Sequence, residues 1–282
     1  MKQLNRSWLR DVVARALAED IGYGDITTQA TISEDQKASG VFVAKEEGVI
    51  CGLPLIEEIF HYADPSLLVS IWVDEGSRVK PGDVLAEVQG SAQAILSGER
   101  VALNFIQRLS GIATQTRKLV DIVADFPVRI VDTRKTVPGL RFLEKYAVRT
   151  GGGHNHRFSL SDAVLIKDNH IIAAGGITAA VELARKNVPH TMTIEVEVET
   201  EEQVREALAA RADIIMLDNM SLEQMREMVK LIDGRAKVEA SGNITEENIR
   251  AVAETGVDII SVGALTHSAN ALDISLDLKL LE

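Results

Sequence analysis

Basic residues crowd one stretch of this 282-residue chain: positions 129–170 hold eight Lys and Arg against four Asp and Glu, although the whole chain carries a net charge of −12. Positive charge focused within an acidic protein suits a ligand with several negative charges. Arg134, Lys135 and Lys167 each follow a short apolar run, and the loop GGGHNHR at 151–157 sets three glycines beside His154, His156 and Arg157. Glycine lets a backbone come close to a ligand, while the histidines and the arginine supply donors. A charge run is ordinarily a solvated face; run ends combined with this loop point instead to an anion site.

Further along, Glu197 and Asp218 close two neighbouring apolar runs. Paired carboxylates so placed bind Mg²⁺, hold sugar hydroxyls or stabilise a developing cation. Glu195 and Glu199 share the face of Glu197 in a regular strand, so spacing leaves open which of the three points inward. The last two runs end in Ser241-Gly242-Asn243 and Val262-Gly263-Ala264, in the manner of paired loops that cradle a phosphate. His154 and His156 have no carboxylate at a zinc-ligand spacing. Cys51, the single cysteine, reads as a small buried apolar residue.

Such groups need a scaffold that gathers strand ends. Short apolar runs centred near Ile130, Leu165, Ile194, Ile215, Val238 and Ile260 alternate with helical stretches, which predicts successive βα units and a parallel sheet. Thr200 with Gln203 and Ser221 with Gln224 have capping-box spacing at the starts of two of those helices. Right-handed βα units repeated this often tend to close, so the expectation is an α/β fold, an incomplete TIM-like barrel with its chemistry at the carboxyl ends of the strands.

Before the barrel, Leu4, Trp8, Leu9, Val12, Val13, Ala16 and Leu17 recur at helical spacing up to Gly22. Segments 41–44, 69–73 and 83–88 read as strands of a small antiparallel sheet, interrupted by a helix at 55–62. Positions 98–126 read as helical, with Gly111 as a break between two helices. The tail DISLDLKLL alternates Ile274, Leu276, Leu278 and Leu280 with polar residues, a half-buried strand that suits the N-terminal sheet better than a parallel barrel. The expected division is an N-terminal α+β sandwich domain, 1–110 plus 270–282, completed by the C-terminal tail, and an α/β barrel domain, 111–269. The segment VDEGSRVKPGDVLAEVQG has the look of a biotinyl or lipoyl carrier hairpin without the carrier's lysine turn, and reads as sheet architecture.

With 46% hydrophobic and 26% charged residues the chain has the balance of a globular protein. Its acidic surplus argues against nucleic acid or an anionic membrane as partner. No run approaches the roughly 20 apolar residues of a membrane span, and the N-terminus lacks the apolar core of a signal peptide, so a cytoplasmic location is expected.

These pieces carry a resemblance. GDITT at 24–28, GER at 98–100, DTRKTVPGLR at 132–141, GGGHNHR at 151–157, LIKDNH at 165–170, EVEVE at 195–199, MLDN at 216–219, EASGNI at 239–244 and ISVGALTH at 260–267 follow one another along nearly the whole chain. In them the sequence resembles the quinolinate phosphoribosyltransferases; Ser159 stands where many members have glycine. The resemblance implies transfer of a phosphoribosyl group from phosphoribosyl pyrophosphate to quinolinate with Mg²⁺, giving nicotinate mononucleotide, pyrophosphate and CO₂. It also implies roles: Arg134, His156, Arg157 and Lys167 grip the quinolinate carboxylates, and Lys135 lies near the pyrophosphate. Glu197 and Asp218 hold ribose hydroxyls and metal, and Ser241, Gly242 and Gly263 hold the 5′-phosphate. A homodimer with shared sites is implied too, Arg100 reaching into the neighbouring subunit. The residues leave open a molybdenum-associated relative of the same fold, a Schiff-base lyase with Lys167 as nucleophile, and a non-catalytic binding protein; the intact HNHR and Lys167 argue against the first.

Overall fold

The computed structural model describes residues 6–281, and the chain divides into two compact units, Met1–Thr114 with Ala269–Glu282, and Gln115–Ser268. Leu4, counted above toward the opening helix, lies outside the described residues. The elements run α1 (Arg6–Ile21), α2 (Ile26–Thr31), β1 (Lys37–Ala44), β2 (Gly48–Val49), α3 (Leu53–Ala63), β3 (Leu68–Ile71), β4 (Arg78–Val79), β5 (Val84–Ser91) and α4 (Ala92–Ile122). There follow β6 (Arg129–Val131), α5 (Arg141–Thr150), β7 (Val164–Ile166), α6 (Asp168–Ala174), α7 (Ile177–Asn187), β8 (Ile194–Val198) and α8 (Glu201–Ala209). The chain continues through β9 (Ile214–Asp218), α9 (Leu222–Ile232), β10 (Lys237–Ser241), α10 (Ile249–Ala253), β11 (Ile259–Ser261), α11 (Ala264–His267) and β12 (Ile274–Leu280).

In the first unit a four-stranded sheet has the order β12-β1-β5-β3. The C-terminal strand lies antiparallel to β1, with Ile274 opposite Ala44 and Leu280 opposite Ala38. Its period-two pattern thus finds the N-terminal sheet. The apolar face is buried only at its start, Ile274 being 2% exposed and Leu280 64%. The expected break at Gly111 is absent: α4 passes through it as one helix. A Cβ on Gly111 would lie 1.8 Å from the carbonyl oxygen of Asn270. The glycine is there because the returning chain touches the helix backbone, a demand that periodicity in α4 does not record.

The second unit is a six-stranded sheet of order β6-β11-β10-β9-β8-β7, parallel in every pairing. Strands adjacent in sequence from β7 to β11 are adjacent in space, and β6 pairs with β11, so the carboxyl ends gather at one edge. Sequence-neighbours β6 and β7 stand at opposite ends of the sheet, which is the α/β barrel left incomplete. Both capping boxes form: Thr200 and Ser221 accept the N–H groups of Gln203 and Gln224, whose side chains accept in return. Ile194, Val196, Ile215, Leu217, Ala240 and Ile260 are fully buried, as strands covered on both faces require. No helix among the described residues is long and apolar enough to cross a membrane.

Candidate active site

The strand ends of the second unit surround a cavity of about 900 Å³. Arg134, Lys135, His156, Arg157, Lys167, Glu197, Asp218, Ser241, Gly242 and Gly263 all line it. Arg100 does not; it is exposed on α4. His154 is also away from the lining. Its backbone pairs with β6, donating to the carbonyl of Ile130 at 2.8 Å and accepting from Asp132 N–H at 3.2 Å, so the residue serves as an extra strand position rather than as an anion donor.

The glycine-rich loop is held by a buried ion pair that sequence reasoning missed. Asp132 and Lys145 are fully buried and hydrogen-bonded to each other. Lys145 also donates to the carbonyl of His156 at 3.1 Å, while the carboxylate of Asp132 accepts His156 N–H at 2.9 Å and Asn155 Nδ2 at 2.6 Å. Burial raises the Asp132 pKa and lowers that of Lys145, against the attraction between them. A lysine among the buried positions Leu143, Ala147 and Val148 of α5 was the available signal. Arg141 ties the next segment, bonding Thr136 Oγ1 at 2.9 Å and the carbonyl of Phe158 at 3.1 Å. Ser159 joins the turn closed by Asp162, to which its N–H donates at 3.1 Å.

On this framework the basic wall is built. Arg134 carries a buried Nε that has no hydrogen-bond partner. Desolvation, then the neighbouring charge of Arg134, lowers the pKa of Arg157. Ile166 pairs with Val196, so the residues one step on, Lys167 and Glu197, lie side by side and form an ion pair. This answers the question left open by the EVEVE run. Glu195 is 3% exposed and lies deep, Glu197 reaches the cavity and Glu199 is exposed beyond the strand.

His156 faces two buried carboxylates. Its Nδ1 accepts Arg157 N–H at 2.7 Å, which leaves Nε2 to bear the proton toward Glu195 Oε2 at 3.1 Å; Glu239 Oε1 is 3.6 Å away. Burial disfavours a charged imidazole, but the Glu195 hydrogen bond and the charges of Glu239 and Glu195 outweigh it and raise the His156 pKa. Glu239 also lines the cavity and was missed; its signal was a charged residue at the centre of an otherwise buried strand, KVEAS.

The far wall interlocks two tight turns. Asp218 and Ser241 are opposite in register, and the next residues, Asn219 and Gly242, both take positive φ, 53° and 95°. A Cβ on Gly242 would lie 2.2 Å from Asn219 Oδ1. Asn219 donates to Asp218 Oδ2 at 2.8 Å and accepts from Asn243 at 3.0 Å. Gly263 leaves room in the same way, since a Cβ there would be 3.0 Å from Lys135 Cδ and 3.3 Å from His267. Polar loops with close backbone access can accept a phosphate, a rim with Glu197 and Asp218 can hold hydroxyls or a hard cation, and the basic wall can hold carboxylates.

Comparison with known proteins agrees along the chain. The family model described as quinolinate phosphoribosyl transferase, C-terminal domain, matches residues 112–277, and that of the N-terminal domain matches 25–110. A probable nicotinate-nucleotide pyrophosphorylase [carboxylating] of Bacillus subtilis is 50% identical over 277 residues, covering 98% of this chain and 96% of its own. The chloroplastic nicotinate-nucleotide pyrophosphorylase [carboxylating] of Arabidopsis thaliana is 46% identical over 95% of this chain and 82% of its own. Among solved structures, NadC from Streptococcus pyogenes superposes with a TM-score of 0.96 at 43% identity, covering 100% of both chains.

Proposed function

The chain belongs to the quinolinate phosphoribosyltransferase family, and from that premise and the cavity lining we infer that it transfers the phosphoribosyl group of phosphoribosyl pyrophosphate to quinolinate with decarboxylation, in de novo NAD biosynthesis. It is a pentosyltransferase. The observation that carries the reading for this cavity is a cluster of cationic donors with an unpartnered buried Arg134 Nε, opposite a carboxylate and phosphate-loop wall. Quinolinate brings two carboxylates, and the other substrate brings phosphates and a ribose; the two walls match those chemistries.

In this reading Arg134, Arg157 and Lys167 orient quinolinate so that its ring nitrogen faces the anomeric carbon, while His156, expected to grip a carboxylate, lines the pocket with both ring nitrogens engaged by Arg157 N–H and Glu195. Displacement of pyrophosphate leaves positive charge on the ribose, which Glu197 and Asp218 stabilise, while Lys135 meets the departing pyrophosphate. Ser241, Gly242 and Gly263 hold the 5′-phosphate. Glu197 and Asp218 present only oxygen donors, the set that Mg²⁺ takes, so they would hold the ion together with substrate oxygens. When bound, the ion neutralises charge on the leaving group. Lys167 is paired with Glu197, which argues against a free amine poised for Schiff-base chemistry. A homodimer in which Arg100 completes the neighbouring site belongs to the same proposal.

The test is to mix purified protein with quinolinate, phosphoribosyl pyrophosphate and Mg²⁺ and to measure CO₂ and nicotinate mononucleotide. Formation of both at equal rates is expected. Quinolinate bound without turnover would leave only a binding protein.

A further inference from the structure

Two glutamates stand behind a wall meant for an anion. Glu195 and Glu239 are 3% and 1% exposed, and each has a buried Oε1 with no hydrogen-bond partner. Together with His156 their ligand-capable atoms lie within 4.8 Å of one another. Two carboxylates this close and this dry do not both ionise, so one of them holds a proton. Glu239 is the one that lines the cavity. The groups facing it are Glu195 from β8, His156 from the loop after α5, and Ser261 from β11, with the charge of Lys145 acting on His156. Burial, then the charge of Glu195, pushes the Glu239 carboxyl up to about 8, against the pull of His156 and Ser261. Burial and the neighbouring carboxylate thus favour the acid form of Glu239.

The reaction inferred above consumes a proton. When the bond between ring carbon 2 and its carboxylate breaks, the electron pair stays on that carbon beside the ribosylated nitrogen and CO₂ departs. We propose that Glu239 is the acid that protonates ring carbon 2 at this point, an assignment that rests on the reaction inferred for the cavity. The Glu239 O–H bond breaks as the new C–H bond forms, leaving a carboxylate that solvent reprotonates once product has left. His156 keeps its Nδ1 on the Arg157 amide and its Nε2–H on Glu195, and so positions the acid without giving up its own proton. This accounts for acid groups beneath a wall that binds a dianion: the pocket needs a proton that water is not required to deliver.

Glu239→Gln keeps the shape and removes the acid. In a single turnover, pyrophosphate release should stay within about threefold of the wild type. Nicotinate mononucleotide should form more than about tenfold more slowly, with quinolinate affinity within about twofold. The wild-type rate should fall as the pH rises through about 8 and the variant should lack that limb, while Glu239→Asp should recover part of both. An infrared band of a protonated carboxyl, present in the wild type at neutral pH and missing in Glu239→Gln, tests the acid independently of turnover. Equal rates of pyrophosphate release and product formation in a folded Gln variant, or no such band in the wild type, overturn the assignment. Wild-type protein that makes no nicotinate mononucleotide overturns the reaction itself and the assignment with it.

Discussion

Arg134 and Lys167 meet a ligand in different states. The buried Nε of Arg134 has no partner to give up, whereas Lys167 must share with Glu197. Arg134→Ala and Lys167→Ala should each weaken quinolinate binding by about 1.5 to 3 kcal/mol per lost charged hydrogen bond, read by calorimetric titration. An unchanged Kd in a folded variant removes the residue from the acid pocket. The carboxylates separate by what they touch. Asp218 bonds Asn219 on the far wall, so Asp218→Asn should lower kcat by roughly tenfold to a thousandfold, about 1.4 to 4 kcal/mol, with quinolinate affinity nearly unchanged. Glu197→Gln should lower kcat over a similar range and also shift quinolinate affinity, because it frees Lys167. A steady-state series with quinolinate Kd measured alongside tells the two apart, and normal kcat in both would move these carboxylates out of the ribosyl site.

The short motifs of the family also have local structural duties. In GDITT, Asp25 caps α2: its carboxylate accepts Thr28 N–H at 3.0 Å, Thr28 Oγ1 at 2.6 Å and Ser97 Oγ at 3.1 Å. The Thr28 hydroxyl, then the Thr28 amide, hold its pKa below 3.8. The folded value is therefore below the unfolded one, and the stabilisation is present above pH 3.8 and lost as the pH falls through the folded value. Asp25→Ala should cost about 0.5 to 2 kcal/mol at neutral pH, and the gap should close on acidification; thermal melts of both proteins across that range check it. A gap that stays constant would mean the carboxylate is not the group that matters. Gly111 belongs to the same scale, since its role in α4 is set by the connection between α11 and β12, far along the chain.

At the scale of the molecule, the sequence carries a residue with no task inside its own cavity. Arg100 lies in GER on α4, exposed, and outside the lining. If the protein works as a dimer with shared sites, mixing Arg100→Ala with Lys167→Ala should recover part of the activity, because one site of the mixed dimer has an intact set of residues. No recovery after demonstrated subunit exchange would exclude sharing.

How much of this was legible depends on where each cause lies. Six strand positions, both capping boxes and the place of the C-terminal strand follow from patterns within a few residues of themselves, because burial on one or both faces and a helix start leave a local trace. The basic wall could be read as a charge surplus, and the strand-end residues could be picked because parallel strands deliver their ends to one side. Which glutamate of EVEVE lies deep, why Gly111 must be glycine, and that Glu239 meets His156 are different matters. Each depends on an atom contributed by a segment distant in sequence: the sheet partner that sets depth, the Asn270 carbonyl against α4, the loop stitched to β6 by Asp132 and Lys145. Residue types and spacing determined the family and the chemistry available to it, and tertiary packing alone decided which of those groups are dry, paired or left without a partner.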